Sequence, residues 1–270
     1  MPIYVPGKVT LAKEFTPQIY MYEFPSQYPV WTPADITTAL WLDAADASTI
    51  TESGGAVSQW DDKSGNGRNA TATGAQQPTY SSILFDGNPG ITFNGASNYF
   101  LLPNDAAPSG NNAIFSVLKT DASGTVGGLI NREYYFGGWK MRFTSSSQLT
   151  YTSETSVTTS GVLNNTKHIC EGFYDGTNIS VLLDGGAITS TAQTGGIAYD
   201  SRDITTIGSS AATGAATINY IECVLAEIVV IHFAPTVDIR RKIEGYLAHK
   251  WGLTANLPSD HPYKLVGPTP

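Results

Sequence analysis

From about Thr38 onward, short apolar or alternating runs recur along the chain, separated by clusters of Gly, Ser, Asn and Asp. ALWLDA, AVSQW, GITFNG, NYFLLP and AIFSVLK come first. YYFGGWKMRF, QLTYT, HICEGFYDG, ISVLLDGG, DITTIGS and INYIECVLAEIVVIHF follow. Runs of this length, rich in β-branched and aromatic residues, predict strands, and the turn residues between them predict antiparallel connections. GITFNG and NYFLLP flank an NGAS turn and predict a hairpin. No helical period separates the strands, which excludes a parallel α/β sheet, because its crossovers need helices. The predicted fold class is all-β, an antiparallel β-sandwich of the jelly-roll kind.

One stretch breaks the pattern. AEIVVIHF (Ala226–Phe233) reads as a buried strand, Pro235 interrupts it, and helical spacing follows. Ile239, Ile243, Tyr246 or Leu247, and Trp251 form one apolar stripe. Thr236 can cap the helix, Asp238 suits the positive end of its dipole, and Gly252 suits its stop. A helix over 236–251 is therefore predicted to brace the sheet, each large buried side chain contributing about 1.5–3 kcal/mol. Arg240, Arg241 and Lys242 are expected on its solvated face.

Residues 1–35 differ in kind. Pro2, Pro6, Pro17, Pro25, Pro29 and Pro33 forbid regular structure, and between them lie Tyr4, Phe15, Tyr20, Tyr22, Phe24, Tyr28 and Trp31. Flexible linkers are poor in aromatics, so this segment is expected to be an extended arm lying on a surface, its own domain's or a partner's, with docking on a partner the leading reading. The sandwich then occupies 36–253, with 254–270 a tail packed on the domain.

Charged residues make up only 14% of the 270, and the net charge is −8. Nucleic-acid binding, which needs a basic surface, is disfavoured. No apolar run approaches the roughly 18 residues needed to span a bilayer. MPIYVPGKVTLAKEF lacks the basic and apolar regions of a signal peptide, so synthesis in a cytoplasm without general secretion is expected. The sequons at Asn69, Asn164 and Asn178 would then go unused, and Cys170 and Cys223, both in predicted strands, would be reduced core thiols.

Several motifs carry a resemblance. FYDGTNISVLLDGG (Phe173–Gly186), TTIGSS (Thr205–Ser210) followed by CVLAEIVVI, the opening ALWLDA with WDDKSGNGRNA, and the ending GYLAHKWGL with LPSDHPYK occur in order. Together, over about residues 38–264, they resemble laminin-G-like, concanavalin A-like jelly rolls of the type found in tailed-phage virion proteins. The resemblance implies a domain that binds glycans, binds proteins or decorates a larger assembly.

Candidate chemistry is sparse. Glucanases of this fold place acids on one strand face, whereas Glu222 and Glu227 are five residues apart and on opposite faces by simple alternation. His168, His232, His249 and His261 are scattered, and hydrogen-bonded structural roles are expected. Asp61, Asp62, Ser64 and Asn66 in WDDKSGNGRNA offer oxygen ligands, so calcium is the candidate cofactor, although Asx-turns explain the same residues. A glycan platform would use Tyr134, Tyr135 and Trp139 with Arg132 and Asn131, unless these pack in the core. The expectation is a non-enzymatic structural virion protein of a tailed phage, assembled in the host cytoplasm. It would dock on other virion proteins through its arm, with a homo-oligomer and a surface glycan as further candidate partners. A carbohydrate-binding module of a bacterial adhesin is the alternative, and a divergent glycan hydrolase or lyase a third reading.

Overall fold

The computed structural model describes residues 30–120, 126–133, 138–144, 148–159, 161, 165–200, 203–211 and 217–270. The first half contributes β1 (Leu40–Asp43), β2 (Ile50–Ser53), β3 (Ala56–Trp60), β4 (Ala70–Thr71), β5 (Thr79–Phe85), β6 (Asn88–Asn94), β7 (Phe100–Leu102) and β8 (Asn112–Thr120). Then come β9 (Gly127–Glu133), β10 (Trp139–Phe143), β11 (Leu149–Thr152), β12 (Ser156–Thr158), β13 (Lys167–Tyr174), β14 (Asn178–Leu183) and β15 (Thr189–Ala192). The chain closes with β16 (Ile204–Ile207), β17 (Ser210–Ala211), β18 (Thr217–Ile218), β19 (Glu222–Ile231) and the helix α1 (Val237–Trp251).

Every strand pairing is antiparallel, as the turn-rich sequence predicts. One layer runs β15–β14–β13–β8–β19, and β1 and β6 share the far edge of β19. The other runs β12–β11–β10–β9–β16–β7–β4–β3–β2. β5 extends the first layer from β6 and touches β3 at Ala56–Thr79, so the sheet almost closes on itself. GITFNG and NYFLLP do not form the predicted hairpin: β6 pairs with β5 and β19, while β7 pairs with β16 and β4. Asn94 and Asn98 hold the turn between them by side-chain hydrogen bonds, and the chain crosses from one layer to the other there.

Two apolar clusters hold the molecule together. Trp60, Phe93, Phe100, Trp139, Phe143 and Tyr151 fill the space between the layers. Trp41, Phe115, Val229, Leu247 and Trp251 fill the space between the first layer and α1. β19 serves both: Cys223, Leu225, Ile228 and Val230 face the first cluster, and Ala226, Val229 and Ile231 face the second. A strand covered on both sides has no solvated face, which is why CVLAEIVVI reads as an apolar run broken only by Glu227.

α1 begins and ends where local chemistry dictates. Thr236 accepts a hydrogen bond from the Ile239 amide, Asp238 lies in the first turn, and Gly252 closes the helix with φ 71°, a conformation costly for other residues. Arg240 corrects the solvated-face expectation. It is only 5% exposed and pairs with Glu244 one turn on, because the helix turns that side toward β13.

Trp31 corrects the arm's boundary. It is 2% exposed, packs edge-on against Tyr246 at 6.2 Å, and its amide donates to the Pro268 carbonyl. The domain thus includes Trp31, which is a core residue and not part of a docking arm. Tyr4, Phe15, Tyr20, Tyr22, Phe24 and Tyr28 lie outside the described residues. Tail residues Leu257 and His261 are buried under the same end of the domain.

Candidate functional site

Alternation along β10 decides the fate of the proposed aromatic platform. Trp139, Met141 and Phe143 point inward and are fully buried. Trp139 donates its indole N–H to Tyr151 Oη at 2.9 Å, and that hydroxyl donates to Asn112 Oδ1 at 2.8 Å. Trp139 is therefore core and cannot stack on a ligand. Arg132, opposite Trp139 in register, lays its guanidinium 4.1 Å from the Tyr199 ring and donates to the Asn104 carbonyl. Asn131 is buried and donates to Thr206 Oγ1. Tyr134 and Tyr135 lie outside the described residues.

The loop WDDKSGNGRNA folds on its own hydrogen bonds. Asp62 Oδ1 accepts from the Trp41 and Ser64 amides, and Oδ2 from the Ser64 hydroxyl and the Arg68 amide. Four donors match the four lone-pair sites of a carboxylate, so Asp62 acts as a staple. Asp61 accepts from the Gln59 side-chain amide, and Asn66 donates to the Thr38 and Ala39 carbonyls. These bonds are the Asx-turn alternative to a calcium loop. Among the described residues no group of three His, Cys, Asp or Glu side chains converges as a metal cluster would require.

Glu222 and Glu227 do not follow simple alternation. A bulge between Leu225 and Glu227 shifts the register against β8, so Glu227 joins Ala226 on the helix-facing side. Glu227 is fully buried there and accepts from the Trp41, Tyr246 and Trp251 side chains at 2.6–2.9 Å. Lys250 bridges Glu227 and Asp43 at 2.8 and 2.6 Å. Burial displaces the Glu227 carboxyl upward, and the Lys250 charge opposes that.

A second buried group sits beneath the first turns of α1. Glu244 is contacted by Arg240, by Arg241 at 3.1 Å and by the His261 ring at 2.8 Å. Glu171 of β13 faces them, 3.9 Å from Arg240. Glu244 has local partners in Arg240 and Arg241, but no local sequence pattern marks the meeting of Glu171 and His261 with them, because both come from distant parts of the chain. The other histidines are also hydrogen-bonded: His168 to Asp184 and Thr166, His232 to the Ala106 carbonyl, His249 to the Tyr263 carbonyl. Cys170 and Cys223 are buried free thiols, both pushed up by burial.

Among the described residues, a cleft of about 330 Å³ lies beneath the β5–β6 hairpin. Its floor is a row across three paired strands, Thr92 of β6, Val224 of β19 and Lys119 of β8. Across β13 the row ends in Lys167, directly opposite Lys119. Leu84, Phe93, Thr120, Asn165, Glu222 and Cys223 line the rest of the cleft. The hairpin turns at Asp86 and Gly87, with φ of 51° and 87°, and Phe85 pairs with Asn88 across it. Asp-Gly between two strand runs is the strongest short hairpin signal, and FDGN in the sequence carries it. A smaller hollow of about 200 Å³ beside Asn66, Arg68 and His232 has its polar groups engaged in the hydrogen bonds already described or, for Arg68, with Asp105 and Ala39.

No known family model matches the chain, and no curated protein matches it. Solved structures do. The botulinum neurotoxin serotype G binding domain aligns over 81% of this chain and 51% of its own, with 14% identity and TM-score 0.53. A structure of botulinum neurotoxin type C, a toxin whose cell entry is dependent upon interaction with two ganglioside molecules, aligns over 79% of this chain and 52% of its own, with 12% identity and TM-score 0.56. Trypanosoma rangeli sialidase in complex with sialic acid aligns over 78% and 33%, with 13% identity and TM-score 0.53. The chain spans about half of the toxin domains and a third of the sialidase. Likeness at this identity establishes a shared β-sandwich fold.

Proposed function

We propose that this protein is a glycan-binding β-sandwich displayed on a larger assembly, the virion of a tailed phage. Its role is binding and not catalysis, and the cleft beneath the β5–β6 hairpin is the binding site. The observation that carries the site is the row Thr92–Val224–Lys119, which sets a hydroxyl, an apolar surface and a cation side by side on rigid strands. Sugars present the same mixture of hydroxyl groups and apolar ring faces, and a few placed polar groups on an apolar floor suit them. The solved structures with this fold include a toxin that interacts with gangliosides and a sialidase in complex with sialic acid, which supports the ligand class. Catalysis of glycan cleavage needs two acids facing one site, and Glu227 is instead engaged beneath α1. The virion setting rests on the sequence resemblance and on the aromatic composition of residues 1–29, which suits groove or strand-addition docking.

The test is binding of immobilised and free saccharides by the wild-type protein and by Thr92→Trp, which fills the cleft, with Thr92→Val as the shape-conserving control. Thr92→Trp is expected to lose binding at least tenfold, about 1.4 kcal/mol, with an unchanged melting temperature. Equal binding by Thr92→Trp places the site elsewhere. Deletion of residues 1–29 is expected to leave saccharide binding intact and abolish incorporation into particles; normal incorporation removes the docking role.

A further inference from the structure

We infer that the cleft takes an acidic sugar whose carboxylate displaces Asp86 from between Lys119 and Lys167. This deepens the glycan reading above and rests on it. Lys119 and Lys167 are direct partners in the antiparallel β8–β13 pair. Like charges placed directly opposite each other repel, so such a pair calls for an anion. That anion is Asp86, with Oδ1 3.6 Å from Lys119 Nζ and Oδ2 3.5 Å from Lys167 Nζ. Both contacts are longer than a close charge-assisted hydrogen bond. The contrast within the chain is direct: Lys63 and Lys250 hold their carboxylates at 2.6–2.9 Å.

Asp86 is also poorly anchored. It stands at the hairpin tip with a side chain 54% exposed, while those of Lys119 and Lys167 are 27% and 18% exposed. β5 loses its register with β6 between Ser81 and Phe85, so the hairpin that carries Asp86 is held mainly at its two ends. The lysines, by contrast, stand on strands in the middle of the first layer. Lys167 is further placed by the Phe85 ring, 5.1 Å from its ammonium, and Phe85 packs edge-on against Trp251. The site is a fixed pair of cations with one loosely held carboxylate.

Ligand orientation follows from the charge along the cleft. Glu222 makes the opposite end negative, so a sugar's carboxylate belongs at the lysine end, with its ring over Val224 and a hydroxyl near Thr92. The net charge of −8 disfavours an anionic ligand in general, so its binding depends on a local pair of cations such as Lys119 and Lys167.

The experiment measures calorimetric binding of N-acetylneuraminic acid and glucuronic acid, with galactose and glucose as neutral sugars and sodium acetate as a free carboxylate. The wild-type protein is compared with Asp86→Asn and Lys119→Gln. Asn-Gly forms the same turn as Asp-Gly, so Asp86→Asn keeps the hairpin. It is expected to tighten the acidic sugars several-fold and leave the neutral ones unchanged. Lys119→Gln is expected to weaken the acidic sugars roughly tenfold or more, the loss of one hydrogen bond to a charged group. Neutral sugars bound as well as acidic ones, with no response to Asp86→Asn, overturn the acidic-ligand inference and leave the glycan reading standing. Acetate bound as tightly as the acidic sugars also overturns it, since the site would then take any carboxylate. Failure of every saccharide to bind overturns both.

Discussion

The carboxyl of Glu171 is fully buried between Ile169 and Phe173 on the helix-facing side of β13, and neither of its oxygens has a hydrogen-bond partner among the described residues. Burial drives its pKa well above the ordinary carboxylate value of 4.5, the Glu244 charge adds to that, and Arg240 only partly offsets it. Between about pH 4.5 and its raised folded pKa, the folded protein therefore holds a proton on Glu171 that the unfolded chain releases. Folding binds protons above about pH 4.5, so the contribution of this residue to stability falls as pH rises from there toward its folded pKa. Glu171→Gln removes the proton uptake and keeps the shape. It is expected to stabilise the protein at pH 8 by about 1.4 kcal/mol for each unit of displacement and to change little at pH 4.5. Urea denaturation at the two pH values measures this, and an equal effect at both would refute it. His261 acts in the opposite sense: burial lowers its pKa below 6.5, so its contribution is full above that pH and declines as pH falls below it.

At the scale of elements, the helix was legible and its surroundings were not. Thr236, Asp238 and Gly252 are local signals that a short window contains, and α1 starts and stops on them. The inward turn of Arg240 depends on Glu171 and Glu244 and could not be read locally. Trp31 makes the same point at the other end: six prolines in residues 1–35 mark an irregular segment, and nothing in it distinguishes the aromatic that packs on Tyr246 from the rest. A chain beginning at Val30 is expected to melt with the full-length protein. A chain beginning at Ile36 loses the Trp31 contacts and is expected to be less stable by about 3–5 kcal/mol, the usual cost of removing a core Trp side chain. Calorimetric melting of both truncations decides it, and equal melting temperatures would return Trp31 to the arm.

For the whole molecule, the shared strands are the main structural fact. β19, β8 and β13 carry residues of both apolar clusters, so the sandwich core and the helix layer are faces of the same sheet. Leu247→Ala, which opens the helix layer, is expected to cost about 2–5 kcal/mol. It should shift helical circular dichroism and the tryptophan signal together in one transition. Two separated transitions would mean that α1 detaches from an intact sandwich.

Sequence alone determined the class of the fold, the strands that read as apolar or alternating runs, and the helix α1 with its ends, because strand alternation, turn chemistry and helix capping act within a few residues. Tertiary structure decided the rest. It buried Trp139, bulged β19 so that Glu227 met the helix, and set Lys119 opposite Lys167. Each of these depends on the register between strands distant in the chain. Register answers to the packing of whole faces, which no short stretch of residues contains.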